Sequence, residues 1–370
     1  MRLRMSFQVP LRKNLLGIKP YIPGKPIEEL ERELGIKNAS KIASNENPLG
    51  PSPKVLSALE RALPKISRYP DGGAHNLSNA LADYLGVLPN QILLGNGSNE
   101  LLVLLGQMVL NPGDEVLFAE PSFIIYPLVA QLFEAVPKPI PLKDFAHDLQ
   151  AFSNALSPKT KLVYICNPNN PTGPMVSLLA VEAFLKVCPS NVLVVLDEAY
   201  YEYVEEKTYF ESLRILEKYP NLIVLRTFSK AFGLAGLRVG YGISHPDFAE
   251  IYQKTRQPFN VNSLAMTAAE AALTDIPHMK KVVALNSSMR KILLKGLTKL
   301  GLKPAPTQAN FVYFNIPGAP ELYQQLLKKG VIIRPMGPNA LRVTTGTEEE
   351  TQNFLKVFKE VLMAKGVPPK

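Results

Sequence analysis

The sequence contains only two cysteines, Cys166 and Cys188, and no tryptophan among its 370 residues. Two cysteines cannot form the disulfide framework of a small secreted protein, and neither belongs to a CxxC pair or a histidine cluster that would bind a metal. We therefore expect no metal site and two thiols buried as small apolar side chains. The four histidines match no catalytic pattern.

The sequence also lacks an apolar run long enough to span a membrane, and its first residues, MRLRMSFQVP, lack the apolar segment of a signal peptide. These absences predict a cytoplasmic protein without a membrane partner.

The net charge is +9, but the basic residues are scattered and form no stripe, which argues against nucleic acid as a partner. An electropositive cleft for anionic small molecules is the better interpretation.

Short apolar runs alternate with helical patterns from about Gln91 to Thr274. The runs QILLG, DEVLFAE, KLVYICNP, NVLVVLDEAY and NLIVLRTFS are rich in Val, Leu and Ile and too short for most helices. This alternation predicts an α/β domain with a mostly parallel sheet. The predicted organisation is an N-terminal arm with part of a small domain (1–65), a large domain (66–275) and a smaller α+β domain (276–370).

Four polar stretches directly follow predicted strands: GNGSNE, NPNNPTG, DEAYY and SKAFGLAGLR. Ligands of open α/β sheets bind beyond the carboxyl ends of the strands, so the four stretches are expected to meet in one crevice. GNGSNE fits a phosphate site at a helix N-terminus, or simply a turn capped by Ser98 or Asn99. It does not fit a dinucleotide fingerprint, because the third glycine of GxGxxG would fall on Glu100.

Lys230 lies in the last of these stretches. Most lysines are exposed in loops, and Asp197 in DEAYY has its own simple interpretation as a helix cap. A lysine in a crevice with a depressed pKa is, however, a nucleophile for carbonyl compounds. Lys230, a strand-end carboxylate and a phosphate cradle together suggest pyridoxal 5′-phosphate (PLP) as the cofactor.

The motifs resemble those of the fold-type I PLP-dependent aminotransferases, and within them the branch that acts on histidinol phosphate. The likeness covers almost the whole chain, through KPYIPGKP, SNENPLGPSP, RYPDGG, GNGSNE, NPNNPTG, DEAY, SKAFGLAGLRVGYG, RQPFNVN, VIIRP and LRVTTGT. The resemblance implies a large domain with a mostly parallel sheet of the seven-stranded type. It also implies a homodimer with shared active sites, an amino donor and a 2-oxo acid as substrates.

The resemblance assigns cofactor roles to individual residues. Lys230 corresponds to the lysine that binds PLP covalently and carries the proton during transamination, and Asp197 to the carboxylate at the pyridine nitrogen. Tyr200 and Asn170 correspond to the groups at the phenolic oxygen. The phosphate is assigned to Gly97, Ser98, Asn99, Ser229 and Arg238, with Tyr69 reaching the cofactor of the partner subunit.

The resemblance also assigns substrate contacts. Arg342 corresponds to the arginine that binds a substrate carboxylate, while Arg334 and Tyr21 correspond to groups that face the distal phosphate; Asn47 is a further predicted substrate contact. The residue expected to stack on the pyridine ring is often tyrosine, but this chain has Phe123, which shifts the expected preference toward aromatic amino acids. Because the fold alone does not determine the substrate, three alternatives stay open: an aromatic amino-acid aminotransferase, a related PLP-dependent phosphothreonine decarboxylase, and a non-catalytic regulator or binding module. The presence of Lys230, Asp197 and Arg238 together argues against the third.

Overall fold

A computed structural model describes residues 9–206, 209 and 212–364. The predicted ends of the first and third segments, 1–8 and 365–370, lie outside the described residues. The helices are α1 (Ile27–Leu34), α2 (Pro53–Ala62), α3 (His75–Leu85), α4 (Ser98–Val109), α5 (Ile125–Leu132), α6 (Leu149–Ala155), α7 (Leu178–Val187), α8 (Pro246–Tyr252), α9 (Ser263–Leu273), α10 (Ile276–Lys299), α11 (Ala319–Lys328) and α12 (Glu348–Ala364). The strands are β1 (Ser40–Lys41), β2 (Ile92–Gly95), β3 (Glu115–Glu120), β4 (Val136–Pro141), β5 (Thr160–Cys166), β6 (Leu193–Asp197), β7 (Leu222–Thr227), β8 (Gly240–Ile243), β9 (Phe311–Asn315), β10 (Val331–Ile332), β11 (Arg334–Pro335) and β12 (Ala340–Thr344).

Strands β2 to β8 form one seven-stranded sheet in the order β2-β8-β7-β6-β5-β3-β4. Only β8 is antiparallel to its neighbours; the other pairings are parallel. Alternate residues of β6 enter different cores, Val194 and Leu196 on one face and Val195 on the other. A strand buried on both faces needs a continuous apolar run, which is why the sequence pattern identified it. The predicted α/β class with a mostly parallel sheet is confirmed.

Two strands of this sheet were not predicted. The edge strand β4 reads VPKPIP, and its prolines are tolerated because only one side of the strand pairs, with β3. The other, β8, reads GYGI. A Cβ atom on Gly240 would collide with the backbone nitrogen of Ser98, so glycine allows β8 to lie against the start of α4.

A second, antiparallel sheet of order β11-β12-β9 packs with α10, α11 and α12 around its own core. This arrangement has the α+β class expected for the smaller domain, whereas the predicted start of that domain at residue 276 stays a prediction. The N-terminal segment contributes to both cores: β1 pairs with β10, whereas Val55 of α2 packs in the core of the large sheet. The boundary predicted at residue 65 stays a prediction. Among the described residues, no helix combines the length and apolarity needed to cross a membrane.

Candidate active site

The carboxyl ends of β5, β6 and β7 bring three of the predicted stretches together. Asp197 is the last residue of β6, Asn170 follows β5, and Lys230 lies three residues after the end of β7. Parallel pairing of these neighbouring strands places their ends at one edge of the sheet. Three of the four stretches therefore meet at one end of the sheet, and α4 begins beside them, where Gly97 lies against Arg238.

Lys230 is a partly buried amine at this edge. Its Nζ atom donates a hydrogen bond to the carbonyl oxygen of Ser44 at 3.2 Å and lies 5.9 Å from the centroid of the Tyr200 ring. Burial, followed by the positive charge of Arg342, lowers the pKa of Lys230 to about 8. A fraction of the amine is therefore unprotonated near neutral pH, which a nucleophile or general base requires.

Asp197 is a buried carboxylate, only 3% exposed. Its Oδ2 accepts a hydrogen bond from the Tyr126 hydroxyl at 2.8 Å, and its Oδ1 accepts one from the backbone N–H of Ala199 at 3.1 Å. Burial raises the pKa of Asp197 to about 6, although these hydrogen bonds oppose the shift. A buried carboxylate with a raised pKa favours a cationic ligand that would compensate its charge.

Tyr126 is a site residue that sequence reasoning gave no role. It stacks on Tyr164, with ring centroids 4.5 Å apart, and lies edge-on to Phe123 at 5.8 Å. Its position three residues after Phe123, on the first turn of α5, is the only sequence signal that could have found it. The structure thus places Phe123 one side chain away from Asp197.

Tyr200 and Asn170 are held by groups that the small domain and the N-terminal segment supply. The Tyr200 hydroxyl accepts a hydrogen bond from Nδ2 of Asn45 at 2.8 Å, and burial raises the pKa of this phenol. Oδ1 of Asn170 accepts a hydrogen bond from Nη1 of Arg342. Asn45 was also missed by sequence reasoning; it has a φ of 57° and bonds Thr344 through its backbone N–H.

The predicted phosphate cradle forms where α4 meets Arg238. Gly97 caps the helix with a φ of 82°, so the interpretation of Ser98 or Asn99 as the cap is wrong; both are helical residues. Nη1 of Arg238 donates to the Ser229 hydroxyl at 3.2 Å. A Cβ atom on Gly97 would collide with Nη2 of Arg238, so glycine leaves room between the helix N-terminus and the guanidinium.

These residues fit PLP. The cradle offers backbone N–H groups at a helix N-terminus together with a guanidinium and a hydroxyl, the donors that suit a phosphate dianion. Asp197 suits a protonated ring nitrogen, and Lys230 suits an aldehyde carbon. Nε of Arg342 is buried and has no hydrogen-bond partner among the described residues, which leaves a donor for an incoming anion.

The two predicted substrate arginines face each other across β11 and β12, where Arg334 is paired in register with Arg342. Nη2 of Arg342 donates to the carbonyl oxygen of Ala43 at 2.9 Å, and Nη2 of Arg334 donates to that of Ile22 at 2.7 Å. The guanidinium carbon of Arg334 lies 5.5 Å from the centroid of the Tyr21 ring. Like charges in directly opposed positions destabilise a strand pair, so an anionic ligand would relieve their repulsion.

Two predicted residues have neighbours that do not themselves indicate a ligand. Nδ2 of Asn47 donates to the carbonyl oxygens of Ala231, at 2.9 Å, and Gly50, at 3.2 Å, so this amide holds the turn that follows Lys230. Its substrate contact stays a prediction. Tyr69 is 84% exposed and stacks on Phe259, with ring centroids 4.9 Å apart. Its side chain is therefore available to a second subunit.

Comparison with known proteins decides the family. The model of the family described as aminotransferase class I and II matches residues 37–358. The chain belongs to this family. Two curated relatives of this aminotransferase are histidinol-phosphate aminotransferase 1 of Nitrosococcus oceani, 49% identical over 94% of this chain and 95% of that protein, and the histidinol-phosphate aminotransferase of Moorella thermoacetica, 47% identical over 95% and 92%.

Solved structures agree with the family. One similar solved structure is the crystal structure of the histidinol-phosphate aminotransferase of Sinorhizobium meliloti in complex with pyridoxal 5′-phosphate. The two structures superpose over 97% of this chain and 99% of the Sinorhizobium chain. The TM-score is 0.91 and the sequence identity is 30%. The roles that the resemblance gave to individual residues stay proposals.

Proposed function

We propose that this aminotransferase converts imidazole acetol phosphate and L-glutamate into histidinol phosphate and 2-oxoglutarate, with PLP as its cofactor. The observation that carries the substrate assignment is the pair Arg334 and Arg342, two cations opposed across β11 and β12 at the edge of the site. A pair of this kind suits substrates that carry two anionic groups, or one phosphate beside the amino carbon.

When bound, PLP withdraws electrons from the amino carbon of the substrate and so makes its hydrogen acidic. The chain then has to move that proton. Lys230 is suited to this work because burial and Arg342 lower the pKa of its amine to about 8, so Nζ both accepts and returns a proton near neutral pH. The hydrogen bond from Nζ to the Ser44 carbonyl oxygen orients the amine.

Asp197 would hold a proton on the pyridine nitrogen of the cofactor. The Tyr126 hydroxyl fixes the carboxylate through Oδ2, so its direction does not depend on the ligand. Asn170 and Tyr200 would hold the phenolic oxygen, and both are already oriented by Arg342 and Asn45. Pre-oriented groups spend little free energy on reorganisation during the reaction.

The two arginines would divide the substrates between them. Histidinol phosphate has a phosphate but no carboxylate, so Arg334 is assigned its phosphate. Glutamate has two carboxylates, which Arg342 and Arg334 would bind one each. Tyr21, whose ring lies beside the Arg334 guanidinium, would close the far end of the site.

Replacing Arg334 by alanine is expected to reduce kcat/KM for histidinol phosphate by roughly 10- to 100-fold, the value of a charge-assisted hydrogen bond to a buried anion. Phenylalanine, which has no distal anionic group, should lose little. The measurement is steady-state transamination of each amino donor with 2-oxoglutarate.

Arg32→Ala is the matched control, since Arg32 is an exposed arginine on α1. Equal losses for histidinol phosphate and phenylalanine would remove the phosphate role of Arg334. The same assay separates the alternatives: much higher activity with phenylalanine than with histidinol phosphate would favour an aromatic amino-acid aminotransferase, and release of carbon dioxide without amino transfer would indicate a decarboxylase.

We further propose a homodimer in which Tyr69 serves the cofactor of the partner subunit. Tyr69 is 84% exposed and Tyr21 is 58% exposed, although both belong to motifs expected at the active site. Exposed aromatic side chains at such positions suit burial by a second copy.

A cytoplasmic location is also proposed, and it agrees with the free, buried thiols of Cys166 and Cys188.

Mixing two inactive variants tests the shared site. Tyr69→Phe subunits combined with Lys230→Ala subunits should form heterodimers with one intact site, restoring up to about a quarter of the parent activity for random twofold pairing. Activity would be measured before and after the subunits are exchanged in mild denaturant. A mixture that never exceeds the sum of the separate variants would contradict the shared site.

A further inference from the structure

A buried ion pair joins the ends of the two strands that lead to Asp197 and Lys230. Glu198 directly follows Asp197, and Arg226 lies in β7, four residues before Lys230. Nε and Nη2 of Arg226 each lie 2.9 Å from Oε2 of Glu198. Arg226 is 3% exposed and Glu198 is 0% exposed. Neither belongs to the site described above.

The pair is enclosed by further contacts. The Ser212 hydroxyl donates to Oε2 of Glu198 at 3.1 Å and accepts from Nη2 of Arg226 at 3.3 Å. The guanidinium carbon of Arg226 lies 3.3 Å from the centroid of the Tyr201 ring. The backbone N–H of Glu198 donates to the carbonyl oxygen of Leu225 at 2.8 Å, so side chains and backbone both tie the end of β6 to β7.

The groups that face Arg226 are carboxyls and phenols from several elements. Glu198 and Glu202 follow β6, Tyr241 lies in β8, and Tyr84 lies in α3. Burial opposes the charge of Arg226, but the carboxylate of Glu198 raises its pKa, so the guanidinium stays charged. Burial is the main cause of the raised pKa of Asp197, and the negative charge of Glu198 adds to it, so Glu198 also acts on the cofactor side.

A buried ion pair is a poor device for stability alone, since well-packed apolar residues in its place are often as stable. Its geometric effect is larger. Adjacent residues at a strand end point to opposite sides, so Glu198 anchors the reverse side of the backbone that carries Asp197. Arg226 holds the end of β7, and Lys230 lies in the segment that directly follows this strand.

We propose that the Glu198–Arg226 pair is a positioning device that holds the ends of β6 and β7 so that Asp197 and Lys230 keep their places around PLP. Neither residue touches the reacting atoms. The inference rests on the PLP-dependent transamination proposed above.

The test compares Glu198→Gln and Arg226→Lys with the parent enzyme. Both variants should raise the dissociation constant of PLP for the apo-protein by about 10-fold and lower kcat by roughly 10- to 100-fold, as small misplacements of reacting groups do. KM for glutamate should stay within about twofold, because the substrate arginines lie on the separate sheet of β11 and β12. PLP binding is measured by absorbance titration of the apo-protein, independently of turnover.

Glu115→Gln is the matched control. Glu115 is also a buried glutamate, 8% exposed, bonded to the Ser157 hydroxyl at 2.6 Å and paired with Lys138 at 3.2 Å. It is the first residue of β3, however, and so lies at the opposite edge of the sheet from the site. Glu115→Gln should keep the parent values for PLP affinity and kcat even if its melting temperature falls.

If Glu198→Gln and Glu115→Gln have the same PLP affinity and kcat, the pair is only structural and the inference is overturned. If the single variants fail to fold, the double variant Glu198→Gln/Arg226→Met removes both charges. Recovery of folding without recovery of PLP affinity supports the positioning role, whereas recovery of both refutes it. A parent enzyme that binds PLP but transfers no amino group would refute the proposed function while leaving this comparison of PLP affinities readable.

Discussion

Replacing Lys230 by alanine is expected to lower transamination by about 10⁴-fold, the upper end of what a positioned acid–base group contributes. The purified parent is expected to be yellow, and the visible absorption band that arises from a covalent bond between the cofactor and an amine should disappear in the variant. Lys230 is the amine that fits, being partly buried at the strand edge with a pKa lowered to about 8. Absorbance spectra and single-turnover rates would measure both effects.

Lys218→Ala provides the comparison, since Lys218 is an exposed lysine whose side chain pairs with Glu182 at 3.3 Å. It should retain both the band and the activity. An unchanged visible band in Lys230→Ala would mean that another amine holds the cofactor. Full retention of PLP binding without the band would, by contrast, agree with the assignment, since Asp197 and the cradle around Arg238 remain.

The sequence predicted the parts of the fold whose local pattern and final environment agree. The strand β6 is a continuous apolar run because both of its faces are buried. The sequence alone therefore predicted a buried strand there. The helix α4 begins at Ser98, within the GNGSNE stretch that the sequence assigned to a helix N-terminus. The strands β4 and β8 were missed because tertiary context overrides their composition: an edge position tolerates the prolines of β4, and contact with α4 requires the glycine of β8.

The sequence predicted the candidate site residues that stand in a recognisable motif. It did not predict the residues that complete the site from distant parts of the chain. Lys230, Asp197 and Asn170 stand in recognisable stretches. Asn45 and Tyr126 have no such signal, because their roles come from hydrogen bonds to Tyr200 and Asp197, 155 and 71 positions away. The helices α1 and α2 likewise lie in a proline-rich segment, and their apolar residues pack against other parts of the chain.

The electrostatics of the site favour ligands whose charges are opposite to those of its buried ionisable groups. Burial moves the pKa of Asp197 up and that of Lys230 down, so in each case the charged form is disfavoured. The opposed arginines Arg334 and Arg342 repel each other. Under the proposed assignment, a cofactor with a ring cation and a phosphate, followed by an anionic substrate, would supply charges opposite to those of Asp197 and the two arginines.

The Asp197→Asn variant is expected to lose about 10²- to 10³-fold in kcat, as for other single preorganised electrostatic groups. Asparagine is similar in shape and retains an acceptor for the Ala199 N–H, but it carries no charge to hold a proton on the pyridine nitrogen. The measurement is the rate of a single half-reaction with glutamate. Wild-type rates in this variant would contradict the role of Asp197.

The same substitution should stabilise the apo-protein, and the effect should depend on pH. The pKa of Asp197 rises from 3.8 to about 6 on folding, so ionising the buried carboxyl costs about 3 kcal/mol above pH 6. Well below pH 3.8 the carboxyl is protonated in both states and this cost is absent. As pH rises from 4 to 6, the parent therefore loses stability that Asp197→Asn keeps, and the gap between their urea midpoints should widen to a plateau near pH 7. Asp83 is exposed on α3, so Asp83→Asn is the control and should show no such gap. A pH-independent difference between the parent and Asp197→Asn would mean that ionising the Asp197 carboxyl does not destabilise the folded apo-protein.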